Sequence, residues 1–296
     1  MTADPIFRGA ATALVTPMTE TGAVDYESFG RLIDWQIAEG INALVIAGTS
    51  GEGSTLTDEE HREVLKFAFE RAAGRVPMIA GTGSNDTAYA IELSQCACGI
   101  GYDGLLVVTP YYNKATQKGL IKMYNTIADA VTKPIILYNV PSRTGVGIEP
   151  QTYVELAEHP NIRAIKEANG NISKIVETAA LIGDKLDIYS GNDDQIVPIL
   201  SVGGIGVISV LSNVVPADTV AMCRKWFEGD VAGAAALQLK YMPLINALFC
   251  EVNPIPAKAA AAAMGYGANF ARLPLTPMEP AHEAKLLEIM KGHGVI

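Results

Sequence analysis

The chain lacks most of the features that would tie it to a membrane, a secretory route, a metal or a nucleic acid. No segment approaches the roughly 18–20 apolar residues of a membrane span. Residues 1–9 carry no basic stretch followed by an apolar one, so no signal peptide is expected. Cysteine is scarce. Cys96, Cys98, Cys223 and Cys250, spread over 296 residues, make no disulfide framework, and reduced, mostly buried thiols are expected. His61, His159, His282 and His293 are dispersed, which leaves no zinc-ligand pair. Basic side chains are outnumbered 32 to 22, for a net charge of −10 and a pI near 4.9. Such a surface repels phosphate backbones, so nucleic acid is not an expected partner. The expectation is a soluble cytoplasmic protein.

What is present is apolar and patterned. Hydrophobic residues make up 49% and charged residues 18%, which argues against disorder. Eight short β-rich runs, at 11–15, 43–47, 76–80, 104–108, 134–138, 162–166, 186–190 and 206–210, recur at roughly 20–35 residue intervals, the rhythm of βα units. They are near-continuously apolar, as strands covered on both faces must be. Amphipathic stripes lie between them: Phe29, Leu32, Ile33 and Ile37, then Ile172, Ile175, Val176, Ala179 and Ala180. Thr57 with Glu60 makes a capping-box pattern, and Pro150 suits a first helical turn. A (β/α)₈ TIM barrel is expected over residues 1–222. A C-terminal helical segment, 223–296, is expected to pack on it, since no linker separates the two. Residues 257–264 are alanine-rich and interrupted by Lys258, which reads as helix.

A barrel of this kind builds its site from the strand ends and the loops after them. Lys166 ends an apolar strand, and desolvation there would leave a nucleophilic amine able to form a Schiff base with a ketone. The competing reading is a surface lysine beside Glu167. Tyr138 ends the neighbouring run and could shuttle a proton, or could be a core aromatic. Thr49 and Ser50, with Gly48 and Gly51 freeing the backbone, offer hydroxyls and amides for a carboxylate; a plain tight turn is the alternative. Arg143 could clamp a carboxylate. Asp193 and Asp194 suit a helix N-terminus better than a metal. Crowding explains Gly203, Gly204 and Gly206 as well as a phosphate site would.

Taken in order, Gly48-Thr49-Ser50-Gly51-Glu52, Tyr138-Asn139-Val140-Pro141-Ser142-Arg143-Thr144-Gly145, Ile165-Lys166-Glu167-Ala168 and Asn253-Pro254-Ile255-Pro256 resemble the dihydrodipicolinate synthase family. That family sits among the pyruvate-dependent class I aldolases, with N-acetylneuraminate lyase. The resemblance runs from about Gly9 to the C-terminus. It implies a Schiff-base lyase of lysine and diaminopimelate biosynthesis that condenses pyruvate with L-aspartate 4-semialdehyde and needs no metal or organic cofactor. Lys166 would form the Schiff base, and Thr49 and Ser50 would bind the pyruvate carboxylate. Tyr138 would transfer protons in a relay through Thr49 to Tyr112, the last entering from a neighbouring subunit. Arg143 would hold the second substrate, while Gly191 and the Ile208 carbonyl would shape the pocket. A homotetramer, a dimer of tight dimers, is implied.

Some positions depart from the family pattern. Ser50 stands where many members have threonine, which keeps the hydroxyl. His61, Tyr111, Gly83 and Asn85 fit the family's lysine-effector site. Asp58 stands where some members have histidine, however, and Tyr89 where lysine-sensitive members often have a carboxylate. Both count against lysine inhibition. A sugar-acid or N-acetylneuraminate-type aldolase is the nearest rival, opposed by Arg143 and the Tyr111-Tyr112 pair. A keto-acid sensor without turnover is the rival from another class.

Overall fold

The computed structural model describes residues 4–296. The apolar runs form strands β1 (Gly9–Ala13), β2 (Ala43–Ile46), β3 (Met78–Gly81), β4 (Gly104–Val108), β5 (Ile135–Asn139), β6 (Ile162–Glu167), β7 (Asp187–Ser190) and β8 (Gly206–Ser209). All neighbours pair in parallel, and β8 returns to β1 to close a barrel in chain order. The expected (β/α)₈ barrel is therefore the observed one. The first strand begins and ends two residues earlier than its apolar run suggested. The cause is that Ala10 pairs with Val207 and Thr12 with Ser209, so β8 fixes where the ladder starts. Close approach also accounts for Gly206: a Cβ there would lie 2.0 Å from the Gly9 carbonyl oxygen.

Strand parity divides the interior in two. Ala11, Val45, Ile79, Leu106, Ile136, Tyr138, Ala164 and Ile208 fill the barrel itself. Ala10, Leu44, Ala80, Leu105, Leu137 and Ile165 face the surrounding helices. Phe7 closes the base of the barrel, stacked 4.2 Å from the Tyr189 ring and accepting that residue's hydroxyl at 2.6 Å. The opposite end, where the strands finish, opens into cavities.

Local signals hold. Helix Tyr26–Ala38 buries Phe29, Leu32 and Ile33, and helix Asp58–Ala72 starts with the full Thr57–Glu60 capping box. Pro150 opens helix Pro150–Leu156. The stripe on Ile172–Ile182 is narrower than expected. Ile175, Thr178 and Ile182 are buried, while Val176 and Ala180 face outward because no further layer covers that side. Of the cysteines only Cys223 is buried. Cys96 and Cys98 are half-buried and Cys250 is exposed, so the expectation of mostly buried thiols fails. Asp193 does open a short turn, but its carboxylate serves another segment. Oδ2 accepts the amides of Val210 and Leu211 at 2.9 and 2.8 Å, tying the loops after β7 and β8 together.

Beyond β8 the chain is helical: Pro216–Phe227, Val231–Leu248, Ile255–Ala263 and Pro280–Gly292. Helix Pro216–Phe227 crosses position 222 and packs on β1 through buried Met222 and Cys223. The later helices share a core of their own, built on Tyr241, Leu244, Leu248, Ala259, Leu286 and Met290. No helix of the described residues is long and apolar enough to cross a membrane.

Candidate active site

On β6, parity turns Lys166 into the barrel with Ala164 and turns Glu167 out toward the helices. On β5, Tyr138 points in and Asn139 out. The parallel register sets Tyr138 opposite Lys166 and Asn139 opposite Glu167. The inward pair faces the cavity. Lys166 is 5% exposed, with Nζ 4.1 Å from the centre of the Tyr138 ring. A cavity of about 160 Å³ opens on it, lined among others by Thr49, Ser50, Tyr138, Arg143, Gly191 and Asn253. Gly191 is needed for fit. A Cβ there would lie 2.8 Å from Ala168 Cβ and 3.2 Å from Lys166 Cγ, so the loop after β7 presses directly on the lysine stem.

The outward pair braces both strands. The Glu167 carboxylate accepts Asn139 Nδ2 at 3.0 and 3.1 Å, the Tyr153 hydroxyl at 2.9 Å and the Asn169 amide at 2.9 Å. Burial pushes its carboxyl up to about 7, against the pull of those hydrogen bonds. Asn139 Oδ1 in turn accepts the Ile148 amide at 3.1 Å. These contacts resist any twist that would separate Tyr138 from Lys166.

The opposite wall is the turn after β2. Thr49 stands exposed at the mouth, whereas Ser50 is 1% exposed. The turn closes through Glu52 N to Thr49 O and Gly53 N to Gly48 O, both at 3.2 Å. Its glycines do not carry the unusual backbone. Ala47 and Glu52 do, at φ 55° and 54°, a left-handed conformation costing an L residue about 1–2 kcal/mol. The Glu52 carboxylate is buried against the Lys258 ammonium and also accepts the Arg272 amide at 3.0 Å. Burial holds the Lys258 ammonium below the usual lysine range, with Glu52 opposing that shift. Asn253 Nδ2 donates to Ser50 Oγ at 3.0 Å, and Arg143 Nη2 donates to the Asn253 carbonyl at 3.2 Å.

A second cavity of about 460 Å³ shares Thr49, Tyr138 and Arg143 with the first and is lined further by His61, Tyr89 and Tyr111. His61 Nε2 lies 3.0 Å from the Gly81 carbonyl, and burial holds its ring below the usual histidine range. Asn85 is set behind this wall, donating Nδ2 to the Tyr111 carbonyl at 3.1 Å. Tyr89 donates its hydroxyl to Asp58 at 3.0 Å.

The structure thus gathers Lys166, Tyr138, Thr49, Ser50, Arg143 and Gly191 around one space. It does not bring Tyr112 there: that side chain is 90% exposed, at φ 71°, outside both linings. The Ile208 side chain is fully buried inside the barrel, and Val210, two residues on, lines the cavity. Sequence reasoning missed the roles of Asn253, Glu52 and Lys258. One signal was available for the last: a single lysine within an otherwise small, apolar helix implies a buried partner.

The dihydrodipicolinate synthetase family model matches residues 6–293. The 4-hydroxy-tetrahydrodipicolinate synthase of Caldicellulosiruptor saccharolyticus is 53% identical over 291 residues, covering 98% of each chain. Among solved structures, the chloride-inhibited dihydrodipicolinate synthase of Acinetobacter baumannii, complexed with pyruvate, superposes with a TM-score of 0.96 at 44% identity, covering 98% of this chain and 99% of that one. The Thermotoga maritima enzyme gives 0.96 at 40% identity, covering 99% of this chain and 100% of that one. With the lysine, the tyrosine and the hydroxyl turn arranged as described, the chain belongs to the dihydrodipicolinate synthetase family.

Proposed function

We propose that this chain is a 4-hydroxy-tetrahydrodipicolinate synthase, condensing pyruvate with L-aspartate 4-semialdehyde. The observation that carries this reading is Lys166, buried at the cavity floor against Tyr138 and faced by the Thr49–Ser50 turn. Lys166 Nζ attacks the pyruvate ketone, and loss of water leaves the iminium. Tyr138 takes and returns the protons that this dehydration moves. The Thr49 and Ser50 hydroxyls and the turn amides hold the keto-acid carboxylate. Loss of a methyl proton gives the enamine, whose carbon attacks the aldehyde. The substrate's own amine then displaces the lysine as the ring closes. Arg143, at the rim of both cavities, binds the second carboxylate. The lysine is itself the electron sink, so this chemistry calls for no metal or organic cofactor.

The protruding Tyr112 fits insertion into the site of a second copy, completing a relay through Thr49 to Tyr138 in a tetramer built from tight dimers. The barrel together with helix Pro216–Phe227 is assigned as the catalytic unit and the helices after it as the segment packed on it, in a cytoplasmic enzyme. Lysine inhibition is not expected, because position 89, where lysine-sensitive members often carry a carboxylate, holds a tyrosine whose hydroxyl donates to Asp58.

Borohydride reduction in the presence of pyruvate, followed by peptide mass mapping, tests the reading directly. A reduced adduct on Lys166 is expected, with kcat/KM for aspartate semialdehyde far above that for N-acetylmannosamine as partner aldehyde. An unlabelled Lys166 or the reverse ranking overturns it.

A further inference from the structure

We propose that the buried Glu52–Lys258 ion pair is a positioning device, through which the C-terminal helical segment sets the backbone of the carboxylate-binding turn. The inference rests on the reading of Thr49 and Ser50 as the pyruvate carboxylate site. Three observations converge on it. First, the turn ends on a left-handed residue that is not glycine, although Gly51 and Gly53 stand on either side of it. A glycine at position 52 would remove the backbone strain, so the side chain itself must be what the position requires. That side chain is 1% exposed, and its two oxygens reach the Lys258 ammonium and the Arg272 amide.

Second, Lys258 is 3% exposed in a helix whose neighbouring Ala257, Ala259, Ala260 and Ala261 are all buried. Burying two charges is no route to extra stability, since apolar residues of similar volume often do as well or better. Orientation is what the pair adds. Third, the same helical segment touches the turn again. Asn253 donates to Ser50 Oγ, lines the cavity, and keeps its own Oδ1 buried without a hydrogen-bond partner. Glu52 and Ser50 are thereby held from one side by residues more than 200 positions later. The amides and hydroxyls of the turn are presented to the cavity in one fixed geometry.

The test compares the wild-type chain with Glu52→Leu/Lys258→Met, which removes both charges and keeps apolar volume, and with the shape-preserving Glu52→Gln. The expected result for the double variant is a thermal midpoint within a few degrees of wild type, a KM for pyruvate raised about 10-fold and a kcat within about threefold. Hydrogen exchange in the peptide spanning 47–56 should rise in parallel, and Lys166 should still be trapped by borohydride at saturating pyruvate. Glu52→Gln keeps its acceptor for Arg272 and should show the same KM rise in smaller measure. It serves as the primary variant if the double variant does not fold. Unchanged pyruvate KM together with unchanged exchange in 47–56 overturns the proposal. A loss of kcat and thermal midpoint with KM unmoved also overturns it, since that is the mark of a merely structural pair. Raised exchange in 47–56 with no adduct on wild-type Lys166 keeps the positioning role and instead removes the substrate reading on which it was built.

Discussion

The two walls of the cavity are made in different ways. The wall bearing Lys166 and Tyr138 is regular sheet: parity aims the side chains and parallel register sets them side by side. Its buried carboxylate, Glu167, meets only neutral donors, and burial raises its pKa toward neutrality. The wall bearing Thr49 and Ser50 is a strained turn whose buried carboxylate, Glu52, meets a full positive charge from a distant helix. The contrast teaches a division of labour. A covalent nucleophile must sit in one place to within a fraction of an ångström, and strands supply that. A carboxylate cradle needs several backbone amides aimed at one point, which a strand cannot offer because its amides are used in the ladder.

Substitutions that separate the walls give graded effects. Tyr138→Phe strikes the strand wall at the hydroxyl proposed to transfer protons. A fall in kcat of about 10²–10³ is expected with little change in pyruvate KM, as read by steady-state kinetics. A rise in KM without loss of kcat would assign Tyr138 to binding. Arg143→Ala strikes the loop rim. Loss of a charge-assisted contact should raise KM for aspartate semialdehyde about 10- to 100-fold and leave pyruvate trapping on Lys166 unaffected. Equal effects on both substrates would erase the distinction between rim and floor.

Glu167→Gln has the smallest effect on catalysis and acts on stability. Its folded-state carboxyl is raised from 4.5 to about 7, so the fold binds that proton more tightly than the unfolded chain does. The stability linked to this group is fully present below pH 4.5 and is lost as pH rises through about 7, by on the order of 3 kcal/mol. The glutamine variant loses acceptors at every pH, yet its deficit against wild type should shrink between pH 4.5 and 7 in urea titrations. A pH-independent deficit would mean that Glu167 stays ionised throughout.

The sheet wall could be read from local sequence, and the turn wall could not. Eight apolar runs at βα spacing carry barrel, strand order and site face together, so Lys166 and Tyr138 could be placed by counting. Strand ends were off by up to two residues because pairing partners, not composition, decide where a ladder stops. Ser50 and Thr49 were found as chemical types, but their support was hidden, since Asn253 and Lys258 join the turn only through the folded topology. The Val176 face of helix Ile172–Ile182 was misread for a related reason: periodicity reports an apolar face without saying whether anything covers it. Tyr112 has no role that one chain can explain.

The reach from Glu52 to Lys258 also bears on how the molecule is made. A chain emerging from its N-terminus exposes Lys166 and Tyr138 to each other long before residue 258 exists. During that interval the carboxylate of Glu52 has no ammonium to meet, and the turn beside it has nothing to hold its left-handed end. The turn reaches its fixed geometry only when helix Ile255–Ala263 docks. A product truncated before residue 253 would carry Lys166 and Tyr138 but none of the contacts that Asn253, Lys258 and Arg272 make to the turn.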